Sequence, residues 1–245
     1  MSRKTEPVSD LEVESFYQAN KSRLPTQEAD LRERIRLHLY NQKLSVRRSA
    51  FFGELRQGAD VQVFLKPPAI FRAALDLDGA PIKGRADAPV TIVKFEDFHC
   101  PFCKEAQHTL AQLLTKYPDR VKLAHKDFPI DELHPAARTG HVAARCAAEQ
   151  GKFWSFHDLL FANGPKAAPA DLRNYAHAAG VDIASFEQCL ASGRFVAAVE
   201  KDVADGKRAG VTGTPAFYIN GRMLSGAQPV EAFVKVIEEE LAPRR

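Results

Sequence analysis

The sequence predicts an α/β domain preceded by an α-helical arm, and three observations carry that reading. Val90-Thr91-Ile92-Val93-Lys94-Phe95 is a β-branched run suited to a central strand. A Cys-x-x-Cys pair, Cys100 and Cys103, follows it directly and opens a helical segment. Residues 8 to about 57 repeat apolar side chains at helical spacing.

The chain has 245 residues and 27.1 kDa, enough for one large or two small domains. Hydrophobic content of 45% and charged content of 27% are those of an ordinary globular chain and exclude disorder as the main state. No stretch approaches the ~18 uninterrupted apolar residues of a membrane span. Met1 to Pro7 is charged with no apolar run behind it, so no signal peptide is read there. A net charge of +3 is too small to argue for nucleic acid. The excess sits in residues 1–70, which hold 12 Lys/Arg and 9 Asp/Glu against 22 of each in the rest. A basic helix face attracts acidic partners or is simply a solvated surface.

In the arm, Val8 to Asn20 reads as a short helix capped by Ser9 or Asp10. Thr26 is the expected cap of a long helix to about Gln57, with Leu31, Ile35, Leu39, Val46 and Ala50 in its apolar stripe and Gly58 at its end. Some 30 residues span ~45 Å, too long to bury against itself. Val61 to Leu65 reads as a strand, Lys66-Pro67-Pro68 as a connector and Ile70 to Leu77 as a further strand, before a turn-rich lead-in to Pro89. The domain boundaries expected are 1–68 for the arm, 69–89 for the lead-in and 90–245 for the α/β domain. After Val90–Phe95 come a helix over Pro101–Lys116, a strand over Val121–Phe128 and helices through about 134–210. Ala216-Phe217-Tyr218-Ile219 is a strand, Asn220-Gly221 a hairpin turn, Arg222-Met223-Leu224 its return, and Val230 to Leu241 a closing amphipathic helix.

Cys100 would stand at the first turn of the helix, with Pro101 where a missing N–H costs nothing. Its sulfur then faces unpaired backbone donors and the positive end of the helix dipole, and both favour thiolate. Cys103 returns to the same face one turn later. Cys100 is therefore expected as the exposed attacking sulfur and Cys103 as the sheltered resolving one. A structural zinc usually draws on a second close pair, whereas Cys146 and Cys189 each stand alone. Redox chemistry is preferred, with no metal and no cofactor.

The second signal is Gly213-Thr214-Pro215 leading into a strand, a position where proline is unusual. Phe95-Glu96-Asp97-Phe98-His99-Cys100-Pro101-Phe102-Cys103, followed by Gly210-Val211-Thr212-Gly213-Thr214-Pro215-Ala216-Phe217-Tyr218-Ile219-Asn220-Gly221, resembles the DsbA-like thiol–disulfide oxidoreductases of the thioredoxin superfamily. The resemblance covers about 80–245, including Gly151-Lys152-Phe153-Trp154 and His157-Asp158-Leu159-Leu160-Phe161. It implies a thioredoxin fold with an inserted helical domain. Pro215 would be a cis-proline packed on the cysteine pair, and Thr214 would offer backbone groups to an extended client strand. Where such proteins often carry a buried acid, six residues before the first cysteine, this chain has Lys94. Glu96 lies on the same strand face and is the candidate replacement, unless both are edge or interfacial charges. Lysine near the pair would favour thiolate and make the disulfide less stable. Pro101, Phe102, His99, Lys94 and Glu96 are thus the candidate tuning residues, with His99 assisting only if protonated and otherwise a surface histidine. Some relatives carry a structural disulfide in the insertion, which here would join Cys146 to Cys189; two buried thiols fit the residues as well.

Residues 8–68 are similar to the helical flank of SurA-like and parvulin-type chaperones. Without a parvulin catalytic domain no isomerase activity follows. A client-holding arm, a homo-oligomerisation arm and a scaffold packed on the catalytic domain are the open readings. The expected activity is thiol–disulfide exchange on cysteine-containing exported proteins, in a periplasmic or otherwise extracytoplasmic compartment, with a redox partner protein recycling the pair. The alternative is a client-binding chaperone or assembly module whose redox pair is secondary.

Overall fold

The computed structural model describes residues 6–21, 30–59 and 70–242. The chain divides into two compact units, Met1–Pro68 and Ala69–Arg245. Thr26, Val61–Leu65 and Lys66-Pro67-Pro68 lie outside the described residues.

The first unit is a helix pair, α1 (Asp10–Asn20) and α2 (Leu31–Gly58). Ser9 caps α1 in a capping box: its hydroxyl accepts from the Glu12 N–H, and the Glu12 carboxylate accepts from the Ser9 N–H at 2.8 Å. Val8, Val13 and Ile35 form a small buried core with Phe16, Tyr17, Leu31, Leu39 and Tyr40 around it. Acidic side chains of α1 meet basic ones of α2 in Arg32–Glu14, Arg36–Asp10 and Lys43–Glu12. At 1.5 Å per residue, α1 spans about 16 Å and α2 about 42 Å. Val46, Phe52 and Leu55, beyond the buried core, are exposed on α2.

The second unit is built on a five-stranded sheet in the order β1-β3-β2-β4-β5, with β1 (Ile82–Lys83), β2 (Val90–Glu96), β3 (Val121–Asp127), β4 (Ala216–Ile219) and β5 (Arg222–Ser225). β2 runs parallel to β3, as the intervening helix α3 (Pro101–Lys116) requires, and antiparallel to β4. Ile70 to Leu77 is not a strand. It meets the sheet at the Asn220-Gly221 turn, where the Ala73 N–H donates to the Gly221 carbonyl at 2.9 Å, and no ladder forms. A Cβ on Gly221 would lie 2.7 Å from the Ala73 carbonyl oxygen, and its φ is +84°, so that close approach needs glycine. The lead-in instead supplies β1, which pairs with β3.

The period-2 pattern of β2 and β3 sorts their side chains. Val90, Ile92, Val121 and Leu123 pack under α3 and the last helix, α9 (Val230–Leu241), with Leu110, Leu113, Phe217, Phe233 and Ile237. Toward the C-terminal ends the same face turns ionic: Lys94 and Glu96 on β2 pair in register with His125 and Asp127 on β3. On the opposite face Val93, Phe95, Ala124, Phe128 and Tyr218 pack beneath α8 (Val196–Ala209). Gly206 lets α8 approach: a Cβ there would stand 2.8 Å from the Phe128 ring.

Helices α4 (Ala137–Ala148), α5 (Phe153–Asn163), α6 (Pro169–Ala178) and α7 (Ile183–Ser192) precede α8 and enclose a second core of Phe153, Phe156, Leu160, Leu172 and Phe186. Cys146 and Cys189 are disulfide-bonded, tying α4 to α7. Phe98, Cys100 and Cys103 belong to this core, so the dithiol sits where the sheet meets the helical insertion.

Candidate active site

Strand β2 ends at Glu96, and the short link Asp97-Phe98-His99 delivers Cys100 to the N-cap of α3, with Pro101 at its first position. The buried Asp97 carboxylate shapes this link: it accepts from the His99 N–H at 2.7 Å, the Ile130 N–H at 2.8 Å and His134 Nδ1 at 3.0 Å. Phe98 is packed among His125, His141, His157 and Phe161.

Both cysteines are free thiols. The Cys103 sulfur is wholly buried and accepts from the Asp97 N–H at 3.5 Å. Cys100 is only 5% exposed, less than its attacking role suggested. The segment before β4 covers it: the Cys100 thiol donates to the Thr214 carbonyl at 3.4 Å, and the Thr214–Pro215 peptide bond is cis. Phe102, between the cysteines, is 60% exposed.

The two sulfurs differ sharply in acidity. A hydrogen bond from the Cys103 thiol, with further help from the Cys103 and Phe102 N–H groups, lowers Cys100 to about 5. The Thr214 hydroxyl, buried with no other partner, adds to this. Burial, joined by the neighbouring Cys100 and Glu96, pushes Cys103 far up. One thiol is a ready thiolate, and the other keeps its proton.

Lys94 and Glu96 are neither edge nor interfacial charges, because β2 is an inner strand and both are fully buried. Lys94 Nζ lies 2.6 Å from Glu96 Oε1 and 2.8 Å from His157 Nε2, and donates to Gln107 Oε1 at 3.3 Å. Gln107 joins this group to the pair, since its Nε2 donates to Glu96 Oε2 at 2.9 Å and to the Cys103 carbonyl at 2.8 Å. Lys94 is therefore held by Glu96 rather than by Cys100. Burial lowers its pKa against the pull of Glu96. Burial would raise Glu96, yet Lys94, His157 and His125 together hold it well below the usual range. His99 is half-buried and burial lowers its pKa, so it stands as a neutral imidazole and not as a cation helping the thiolate.

Sequence reasoning did not single out the continuation of this network. His125 places Nδ1 2.7 Å from Glu96 and Nε2 2.8 Å from Asp127, so both nitrogens donate and the ring is an imidazolium. Burial opposes that charge, but Asp127 and Glu96 outweigh it and raise the pKa. Asp127 also accepts from His141 Nδ1 at 2.6 Å and Arg145 Nε at 2.6 Å. Arg145 reaches on to Asp202, which with Asp205 holds Lys126. Buried cations Lys94, His125, Lys126 and Arg145 thus face buried carboxylates Glu96, Asp127, Asp202 and Asp205. The clue lay in the strands themselves: Val-x-Ile-x-Lys-x-Glu and Val-x-Leu-x-His-x-Asp each exchange apolar for ionisable side chains on one face.

Glu96, His125 and His157 are close enough to ligate a metal ion, as are His125, Asp127 and His141. In the first group the Lys94 ammonium already stands against Glu96 Oε1 and His157 Nε2, and in the second Arg145 and His125 neutralise Asp127. The donor set is matched to protein cations rather than to a metal.

A dithiol at a helix N-terminus faces a cis-proline across the end of a mixed sheet, a thioredoxin-type arrangement. Comparison with known proteins agrees on the fold. Residues 77–239 match the family described as Thioredoxin, which leaves the helical arm outside the match. BdbD from Bacillus subtilis superposes with a TM-score of 0.64 at 24% identity, covering 70% of this chain and 98% of that one. A thioredoxin-like oxidoreductase from Silicibacter pomeroyi gives 0.60 at 25% identity, over 66% and 91%. In sequence, the Na(+)/H(+) antiporter NhaA 3 of Salinispora tropica is 36% identical over 171 residues, which is 70% of this chain but 26% of the antiporter. The chain belongs to the thioredoxin family, and its fold is that of the DsbA-like thiol–disulfide oxidoreductases.

Proposed function

We propose that this protein is a protein thiol–disulfide oxidoreductase that forms or reshuffles disulfides in exported proteins through Cys100 and Cys103. The observation that carries the reading is the asymmetry of the pair: Cys100 lowered to about 5 beside a buried Cys103 pushed the other way, with the Thr214 carbonyl 3.4 Å from the Cys100 sulfur.

In the oxidising direction a client thiolate attacks Cys100 Sγ of the disulfide. The Cys100–Cys103 bond breaks, and Cys103 leaves and takes up a proton. A second client thiolate then attacks the client sulfur of the mixed disulfide, and Cys100 departs as a stable thiolate. In the reverse direction the Cys100 thiolate opens a client disulfide and Cys103 resolves the intermediate. The reduction potential decides which direction prevails. Thr214, beside the cis-proline, would pair its backbone with an extended client strand, and exposed Phe102 would flank it.

The fold is shared with a periplasmic thioredoxin-like protein from Salmonella enterica, which supports an extracytoplasmic setting; turnover there would need a separate redox protein to recycle the pair. No helix among the described residues is long and apolar enough to cross a membrane. Antiporter activity is not proposed for a chain spanning about a quarter of those relatives' length.

The test is a glutathione redox titration of the pair, combined with dithiol-dependent refolding of a reduced disulfide-containing client. Reversible cycling and accelerated refolding, both lost in Cys100→Ser, are expected. A pair that does not cycle, or a Cys100→Ser protein that promotes refolding as well as the wild type, would overturn the reading.

A further inference from the structure

Thiol–disulfide exchange moves protons as well as electrons, and Cys103 is sealed from water. Each time the disulfide forms, Cys103 must lose its proton; each time it opens, Cys103 must regain one. The helical insertion brings a histidine to this place. His157 on α5 is buried, with Nε2 2.9 Å from Glu96 Oε1 and Nδ1 2.7 Å from Asp158 Oδ1. The Asp158 side chain is 62% exposed. Both residues line a cleft of about 330 Å³ whose walls also include Lys94, Gln107 and Trp154.

We propose that His157 and Asp158 form the proton outlet of the active pair, connecting Cys103 through Glu96 to water in this cleft. The proposal rests on the exchange reaction given above and adds the route of its proton. When the mixed disulfide at Cys100 is resolved, the S–H bond of Cys103 breaks and its proton passes toward the Glu96 carboxylate, whose charge bears on the Cys103 sulfur and whose Oε2 shares Gln107 Nε2 with the Cys103 carbonyl. The Cys103 sulfur bonds to Cys100 Sγ, and the client sulfur leaves with the electron pair of the broken S–S bond. Glu96 holds the proton only in passing, because Lys94 and His125 favour its anion. Its Oε1 faces His157 Nε2. The ring accepts the proton there and releases the one on Nδ1 to Asp158, which yields it to water. Opening of the disulfide runs the same path inward, so the original tautomer returns after every full cycle.

The charged groups around His157 suit this task. Lys94 and Glu96 face it from β2, His125 stands 6.0 Å away ring to ring from β3, and Asp158 meets its outer nitrogen. Lys83 of β1 lies 3.9 Å from Asp158. Burial and the neighbouring Lys94 lower the pKa of His157, leaving a neutral ring that can accept on one side and donate on the other.

The experiment follows ring closure in the full chain. Reduced protein is mixed with glutathione disulfide, and closure of the Cys100–glutathione mixed disulfide is timed by acid quench and mass spectrometry, in H2O and D2O. Positioned proton transfer typically contributes 10²–10⁴-fold. His157→Gln is therefore expected to slow closure ~100-fold, with a larger solvent isotope effect and an equilibrium potential close to the wild type. Asp158→Asn, on an exposed side chain, slows it ~3-fold and serves if His157→Gln does not fold. In His157→Ala, added imidazole entering through the cleft restores part of the rate. Closure at the wild-type rate in the folded variants would overturn the relay, as would a slowing matched by an equal change in potential. If wild-type protein forms no mixed disulfide, the exchange reading itself fails, which is a separate result.

Discussion

Replacing Cys103 tests the origin of the Cys100 thiolate. The Cys103 thiol is the largest influence lowering Cys100 to about 5. A hydrogen bond to a charged group contributes about 1.5–3 kcal/mol. At 1.36 kcal/mol per pH unit this is roughly 1–2 units. Cys103→Ala should therefore move the Cys100 midpoint to about 6–7, whereas Cys103→Ser retains a donor and should stay near 5. At pH 7 the thiolate fraction would fall from about 99% to roughly 50–90% in the alanine variant. The assay is the rate of iodoacetamide alkylation at Cys100 from pH 3.5 to 9, read by mass spectrometry, with thiolate absorbance as a second probe. Coincident midpoints in the alanine and serine variants would refute the argument, leaving the backbone donors and the helix dipole to account for the shift.

The same titration makes the reduced protein's stability depend on pH. A thiol depressed in the fold contributes its full stabilisation above the unfolded value of roughly 8.5 and loses it as pH falls through about 5. The disulfide form has no such group, so the Tm of the reduced form should gain on that of the oxidised form between pH 4 and 8.5; a constant difference would count against it. Glu96→Gln leaves Lys94 without its carboxylate and His125 with Asp127 alone, at a cost of about 3–5 kcal/mol in urea denaturation, and adding Lys94→Met should recover much of it. Gly206→Ala forces a methyl against Phe128 and should cost about 1–3 kcal/mol, seen as an earlier urea midpoint. Removing the Cys146–Cys189 bridge, which closes a loop of sequence separation 43, should cost about 4 kcal/mol with Cys100 and Cys103 held in one redox state.

Much of the fold was legible because period and punctuation agreed. The β-branched run Val90–Phe95 became an inner strand, the Cys100-Pro101 start gave a helix over the expected residues, and Asn220-Gly221 turned the hairpin. Ile70–Leu77 misled because alternating apolar residues describe any chain with one covered side; strand formation also needs a neighbour with free backbone groups, and a turn supplied only one bond. At the site, Cys100 and Cys103 could be read from spacing, since one helical turn separates them. His125 and Asp127 left only the change from apolar to ionisable side chains along β3 as a clue, and Gln107 with the outer members Arg145, Asp202 and Asp205 left none. Each is an ordinary surface residue until β3, α3, α4 and α8 converge, and that convergence is a property of the tertiary fold. Lys94 was noticed as a departure, but its partner was fixed only by geometry.

The one-for-one balance of ionised side chains beneath the two parallel strands bears on how this scaffold can be altered. Lys94 with Glu96, and His125 with Asp127, form a small electroneutral mosaic spanning neighbouring strands. Each strand carries a neutral half, yet transplanting one alone into a homologous scaffold would part Glu96 from His125, whose hydrogen bond crosses between the strands. Moving both together keeps that bond. For chimeras or ancestral reconstructions, the two strands are a single inheritable cassette.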